Sequence, residues 1–218
     1  RNQLVLDFSR KEVVDHIFDQ ICKVLDQGNI EYVKWDMNRH LTDLGSAYLD
    51  RKNQNELSHR YVLGLYRVME TLTERFPQVL FESCSSGGGR FDAGMLYYMP
   101  QTWTSDNTDA VCRLKIQHGT SFLFPTVTMG AHVSACPNHQ VGRTTPLATR
   151  FAVAAAGNLG YELDLKKLSK EEKEEVREQI AEYKRRRRTV QFGTYYRLAD
   201  AFQENQSACN IVSEDGME

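Results

Sequence analysis

The chain has 218 residues, 41% hydrophobic and 26% charged, an ordinary balance for one sizeable soluble domain with its own core. A formal net charge of −2 gives no field that would gather nucleic acid or an anionic membrane, so neither is expected as a partner. No apolar run approaches the roughly 20 residues that a bilayer-spanning helix needs.

Five cysteines, Cys22, Cys84, Cys112, Cys136 and Cys209, form an odd set without paired spacing. They read as thiols of a reducing cytoplasm rather than as a disulfide framework. The chain opens at Arg1 with no initiator Met and no signal pattern, and reads as a piece of something longer.

Short apolar runs alternate with helical spacing. Residues 4–8 read as a strand, Ser9 as a cap, and Val13, Val14, Ile17, Ile21 and Leu25 as one helix face that stops at Gly28. A strand is predicted over 32–38, then a helix over 54–75 with Leu57, Tyr61, Leu65 and Val68 on one face, ended by Pro77. Residues 79–84 read as a buried strand, followed by a glycine-rich turn. Residues 95–99 read as an apolar connection and 103–106 as a strand. A helix over 110–118, a strand over 126–133, a small-residue helix over 146–156 and a last strand over 161–165 follow.

Ser169-Lys170-Glu171-Glu172 is a capping box that opens a long helix to about residue 191. The basic run 184–188 closes that helix and complements its dipole. Beyond Gly193 the pattern fades into a polar tail.

About six strand–helix units imply an α/β fold with a parallel sheet. An open doubly wound sheet and a (β/α)8 TIM barrel both fit. The barrel is favoured because Asp36, Cys84, Asp106 and His132 stand at C-terminal strand ends, where barrels build their sites. Six units do not close eight strands, so the barrel is expected to be incomplete, over residues 1–192 with a tail over 193–218.

Residues two apart on a strand share a face, so Lys34, Asp36 and Asn38 present a cation, an anion and an amide together. An ionised carboxylate in a sheltered pocket can attack the anomeric carbon of a sugar. A structural Lys–Asp pair is the competing reading. Asp106 follows 70 residues later, and strands of one barrel layer would bring the two carboxyls across a common mouth. Close carboxyls cannot both ionise easily, which yields an acid and a nucleophile from one residue type.

Asp106 also lies among the capping residues before Ala110, where Asp109 is the better cap. The segment Cys84-Ser85-Ser86-Gly87-Gly88-Gly89-Arg90 lacks the Gly-Lys-Ser/Thr ending of a phosphate loop, and Cys84 lacks a recognisable His partner. A loop whose backbone N–H groups approach hydroxyls is the reading taken, beside a purely structural turn. His132, Cys136 and His139 have no evident fourth ligand, and no metal is expected.

Three blocks carry a resemblance: Lys34-Trp35-Asp36-Met37-Asn38-Arg39, Glu82-Ser83-Cys84-Ser85-Ser86-Gly87-Gly88-Gly89-Arg90-Phe91-Asp92, and Trp103-Thr104-Ser105-Asp106-Asn107-Thr108-Asp109-Ala110. Met129-Gly130-Ala131-His132-Val133-Ser134, Gly157-Asn158-Leu159-Gly160-Tyr161-Glu162-Leu163 and Arg1-Asn2-Gln3-Leu4-Val5-Leu6-Asp7 extend it over nearly the whole chain. Together they resemble the signature blocks of glycoside hydrolase family 36 α-galactosidases.

The resemblance implies a retaining exo-hydrolase that releases α-linked galactose from melibiose- and raffinose-type oligosaccharides. It implies Asp36 as nucleophile, Asp106 as acid/base, and Arg1, Lys34, Asn38, Cys84, Ser85, Ser86 and Gly87 as galactose-binding residues. It implies no metal and no organic cofactor. That family has a β-sandwich before its barrel and a β domain after it, and the present chain corresponds to about the third to eighth strands of the barrel.

A galactosyl transferase of the raffinose-synthase type shares the two-aspartate plan. A fragment without activity of its own is the non-enzymatic alternative. Exposed barrel edges favour association, including into a homo-oligomer.

Overall fold

The structure, a computed structural model, describes residues 4–203 and 205–217. The chain folds as two compact units, Arg1–Pro100 and Gln101–Glu218. Arg1 lies outside the described residues.

In the first unit, α1 (Lys11–Gln27) is followed by β1 (Tyr32–Asp36), a 3-10 turn (Arg51–Glu56) and α2 (Leu57–Arg75). Then come β2 (Leu80–Cys84) and α3 (Ala93–Tyr98). Leu57, Tyr61, Leu65, Val68, Met69 and Leu72 form the buried stripe of α2 at helical spacing. From Tyr61 onward that stripe packs with Val14 and Leu25 of α1, and with Phe81 of β2 and Met95 of α3.

β1 pairs with β2 in parallel, with Lys34 opposite Glu82 and Asp36 opposite Cys84. The helix between them makes this a βαβ unit, the arrangement that brings functional residues to C-terminal strand ends.

One contact holds α2 close to the chain entry. A Cβ at Gly64 would stand 1.9 Å from the Phe8 carbonyl oxygen, so this helix position has no room for a side chain. Gly64→Ala is expected to destabilise the unit by about 2 kcal/mol, because overpacking against backbone outweighs the helix-propensity gain. Denaturant unfolding checks it; a variant as stable as the parent would show that the approach relaxes at no cost.

The second unit runs β3 (Gln101–Trp103), α4 (Ala110–Thr120), a 3-10 turn (Thr126–Thr128), β4 (Met129–Ser134), α5 (Leu147–Ala154) and β5 (Asn158–Glu162). It continues through a second 3-10 turn (Leu165–Lys167), α6 (Lys170–Phe192), β6 (Thr194–Ala199) and β7 (Ala208–Val212). β4 pairs in parallel with both β3 and β5. Its Ala131 and Val133 are fully buried in a core with Leu147, Ala154 and Val176. The Ser169–Glu172 capping box forms as the sequence predicts. Tyr183 of α6 donates its hydroxyl to the Gly157 carbonyl at 2.7 Å and so ties that helix to the start of β5.

Several expectations are corrected. Residues 4–8 are not a strand: Leu4 is 91% exposed, Phe8 turns into the core against Tyr61, and Asp7 is held by Ser9 and Ser46. Ser9 therefore bonds Asp7 and does not cap α1, whose N-cap is Arg10. The described residues thus hold five parallel strands rather than about six.

Residues 95–99 belong largely to a helix, α3, capped by Asp92. β3 stops at Trp103, so Asp106 lies three residues past the strand end. β5 begins three residues earlier than the pattern suggests.

The chain after Gly193 is not featureless: β6 and β7 form an antiparallel hairpin with an irregularity between Arg197 and Ala199. α6 continues to Phe192, so the basic run lies before its last turn, and Arg185 and Arg186 pair with Glu182 instead of closing the dipole. Among the described residues no helix is long and apolar enough to cross a membrane.

Candidate active site

In the first unit, the exposed face of β1 carries Lys34 and Asp36, alternating with half-buried Val33 and Trp35. Beyond the strand, the amide Nδ2 of Asn38 donates to Asp36 Oδ2 at 2.8 Å. The other end of that amide, Oδ1, accepts from the Ser86 N–H at 2.7 Å and from the Ser86 hydroxyl at 3.2 Å. Ser86 sits at φ +48°, in the left-handed region, and Gly87 follows at +85°. That pair of conformations turns the Ser86 N–H onto Asn38.

Two further bonds close the gap between strand end and turn. The Met37 N–H donates to the Cys84 carbonyl at 3.1 Å, and the Ser85 hydroxyl donates to the Met37 carbonyl at 2.6 Å. Asp36 therefore stands on a segment stitched to the glycine turn.

The turn's own donors are largely committed. Ser85 N–H goes to Gly87 O at 2.8 Å, Ser86 N–H to Asn38, and Gly89 N–H to Ser85 O at 3.2 Å. This argues against a phosphate cradle, which needs such groups turned toward the ligand.

Cys84 is buried and stands opposite Asp36 in the β1–β2 register. Burial first, and Asp36 with it, push this thiol up to about 11, against the pull of the Gly87 N–H and of Lys34. Cys84 is thus a neutral thiol at neutral pH and not a nucleophile. With iodoacetamide at pH 8, the exposed Cys136 and Cys209 are expected to react at least roughly 100-fold faster than Cys84. Peptide mapping by mass spectrometry checks this; comparable rates would contradict the assignment.

Arg90 sends Nη2 to the Cys84 carbonyl at 2.9 Å. Burial pulls its guanidinium below the usual arginine range, and the Tyr61 hydroxyl and Asp36 act in the opposite direction.

Sequence reasoning missed Glu82. It lies on the same face of β2 as Cys84 and is 2% exposed. The Tyr32 hydroxyl donates to its Oε2, and Lys34 Nζ lies 3.5 Å from its Oε1. A charged residue inside the apolar run 79–84 was the available signal, since carboxylates are almost never fully buried without a partner.

In the second unit, Asp106 is exposed and accepts a hydrogen bond from the indole N–H of Trp103 at 3.2 Å. The indole is itself fixed. It packs on His132 with ring centroids 4.3 Å apart, and the Arg113 guanidinium lies 4.7 Å from its centroid. Arg113 is 2% exposed and donates to the Ser105 and Gly130 carbonyls, and burial lowers its pKa to about 10.

Asp109 is the N-cap of α4, accepting from the Cys112 N–H at 2.9 Å, and it also pairs with Arg143. The loop between β3 and α4 is held from outside as well. Gln140 accepts from the Thr108 N–H at 3.1 Å, and Asn138 donates to the Thr108 hydroxyl at 3.0 Å.

His132 directs Nδ1 at Glu162, 3.0 Å away, and Cys136 faces the Thr145 carbonyl. Among the described residues no group of three His, Cys, Asp or Glu side chains could hold a metal ion.

A family model described as melibiase matches residues 1–193. The chain belongs to the melibiase family. Two melibiase relatives show how much of such a protein is present. Alpha-galactosidase AgaA of Geobacillus stearothermophilus is 62% identical over 218 residues, which are 100% of this chain and 30% of the relative. The bifunctional alpha-galactosidase/sucrose kinase AgaSK of Mediterraneibacter gnavus is 57% identical over 215 residues, 99% of this chain and 22% of the relative.

The crystal structure of the glycoside hydrolase family 36 α-galactosidase AgaA superposes with a TM-score of 0.96, covering 98% of this chain and 30% of that one. Variants of AgaA have been crystallised with raffinose and with stachyose. The present chain thus spans less than a third of the length of these relatives. Its fold class is α/β, a partial (β/α)8 barrel with five parallel strands among the described residues.

Proposed function

We propose that the chain carries the catalytic carboxyls of a retaining exo-α-galactosidase acting on terminal α-galactosyl groups of raffinose- and stachyose-type oligosaccharides. The observation that carries this reading is the membership of residues 1–193 in the melibiase family, joined to an exposed Asp36 that the Asn38 amide holds at its strand end.

Asp36 is the nucleophile. It attacks the anomeric carbon as the bond to the glycosidic oxygen breaks, and Asp106 gives its proton to that oxygen. The product is a galactosyl ester on Asp36. Asp106, now a carboxylate, takes a proton from water; the water oxygen attacks the anomeric carbon and the ester bond breaks. Both carboxyls end as they began. The double displacement calls for the two groups about 5–5.5 Å apart.

The Asn38 amide, a neutral donor, orients the Asp36 carboxylate.

In AgaA, the raffinose complex carries an Asp-to-Asn change and the stachyose complex an Asp-to-Ala change. Those two aspartates are 70 residues apart, the spacing of Asp36 and Asp106 here. An oligosaccharide is held intact most readily where a needed carboxyl is missing, so the coincidence supports the pairing.

By family resemblance Arg1, Lys34, Asn38, Cys84, Ser85, Ser86 and Gly87 bind the galactose group; the N–H groups of Ser85 and Ser86 are spent on the protein, so the turn's contacts to the sugar fall to its side chains rather than to those N–H groups. No metal or cofactor enters the reaction. We place the protein in the cytoplasm, where its five thiols stay reduced, and its barrel over residues 1–192, with 193–218 leading into a further β domain. Homo-oligomer formation through uncovered strand edges belongs to the same proposal.

The test is incubation of the protein with a chromogenic α-galactoside, with and without raffinose or sucrose as acceptor. Hydrolysis with retained configuration supports the reading. Transfer products without hydrolysis would reassign it as a galactosyl transferase, and inverted product would remove the double displacement.

A further inference from the structure

Lys34 carries a flexible four-carbon stem, and a sugar-binding ammonium must be placed to be useful. It pairs with a carboxylate that neither the mechanism nor the sequence reading uses: Glu82, with Nζ 3.5 Å from Oε1. That carboxylate is 2% exposed, opposite Lys34 in the parallel register and one step below Cys84 on the face that carries Asp36. Its second oxygen accepts the Tyr32 hydroxyl, from the start of the same strand that presents Lys34 and Asp36. A buried carboxylate is costly unless it is paired and hydrogen-bonded, and here Tyr32 and Lys34, two residues of β1, serve it.

We propose that Glu82 is a positioning residue, whose buried carboxylate anchors the Lys34 ammonium on the face of β1 that presents Asp36 and so sets the charge beside the nucleophile. The inference rests on the reading of Asp36 as nucleophile. It assigns Glu82 a different task from the sugar-binding residues: it touches Lys34, not substrate.

The test is carbon-13 relaxation of the Lys34 Cε, beside nitrogen-15 relaxation of the β1 backbone, in the parent protein and in Glu82→Gln and Glu82→Asp. In Glu82→Gln, Lys34 is expected to lose its order while the β1 backbone keeps its own. In Glu82→Asp the charge stays but the reach shortens by a methylene, so Lys34 is expected to lose order in part.

A Lys34 as ordered in a folded Glu82→Gln protein as in the parent would overturn the proposal, and so would a loss of order shared equally by the β1 backbone. If that variant does not fold, the Glu82→Asp protein decides: a Lys34 as ordered as in the parent would overturn it equally. Neither readout needs turnover. A parent protein that hydrolyses no α-galactoside would remove the proposed activity, and the same relaxation measurement would still decide the role of Glu82.

Discussion

Asp36→Ala is expected to lower kcat on a raffinose-type substrate by about four orders of magnitude or more, with the fold intact. The loss is large because the covalent route disappears altogether, and direct attack by water offers no comparable path. The fold survives because Asp36 is exposed. The substitution removes the hydrogen bond from Asn38, a loss of about 1.5 kcal/mol. Steady-state kinetics beside a thermal melt separates the two effects. Near-normal rates in a folded Asp36→Ala protein would remove the assignment of the nucleophile.

Asp106→Ala is expected to show a different signature, one that depends on the leaving group. With an oligosaccharide, whose leaving oxygen needs a proton, the first step should slow by roughly 10²- to 10⁴-fold. With a nitrophenyl galactoside the leaving group departs unaided, so the galactosyl ester forms quickly. The ester then persists, because no base activates the incoming water. Rapid-mixing measurements should show a burst of nitrophenol followed by a slow steady rate. Equal losses on both substrates, with no burst, would mean that Asp106 does not act as acid/base. Trp103→Phe tests the same site more gently. It removes the indole donor at 3.2 Å and keeps most of the packing against His132, so a small rate effect of a few fold is expected.

Elements written in local chemistry were legible in the sequence. The Ser169–Glu172 box, the stop at Gly28 and the apolar stripe of α2 are short-range patterns, and each forms as read. The alternation that sets Lys34 and Asp36 on one face is likewise a property of the strand alone.

Elements decided by distant contacts were not. β5 begins at Asn158 and contains Gly160, both poor strand formers by propensity. Gly160 is required there because a Cβ would stand 2.6 Å from the His132 ring of the neighbouring strand. Residues 4–8 have the composition of a strand, yet Phe8 is drawn into the contact with Tyr61, and among the described residues no strand forms there. The hairpin of β6 and β7 lacks a clean alternation of buried and exposed residues, so its period-two signal is weak.

At the site, the spacing of motifs marked Asp36 and the glycine turn. It did not show that the turn's N–H groups are spent on the protein, nor that Glu82 is buried beneath Lys34. Those facts depend on which residue of β2 stands opposite which residue of β1, and register is a tertiary property.

The covalent step can be caught directly. A 5-fluoro-α-galactosyl fluoride forms the ester quickly, because fluoride leaves readily, and releases it slowly, because the ring fluorine disfavours the oxocarbenium-like transition state. Treated protein is digested and its peptides are mapped by mass spectrometry. The expected result is a single fluorogalactosyl adduct on Asp36, in the peptide that carries Lys34-Trp35-Asp36-Met37-Asn38. An adduct on any other carboxyl, or turnover of an α-galactoside with no adduct at all, would contradict the account.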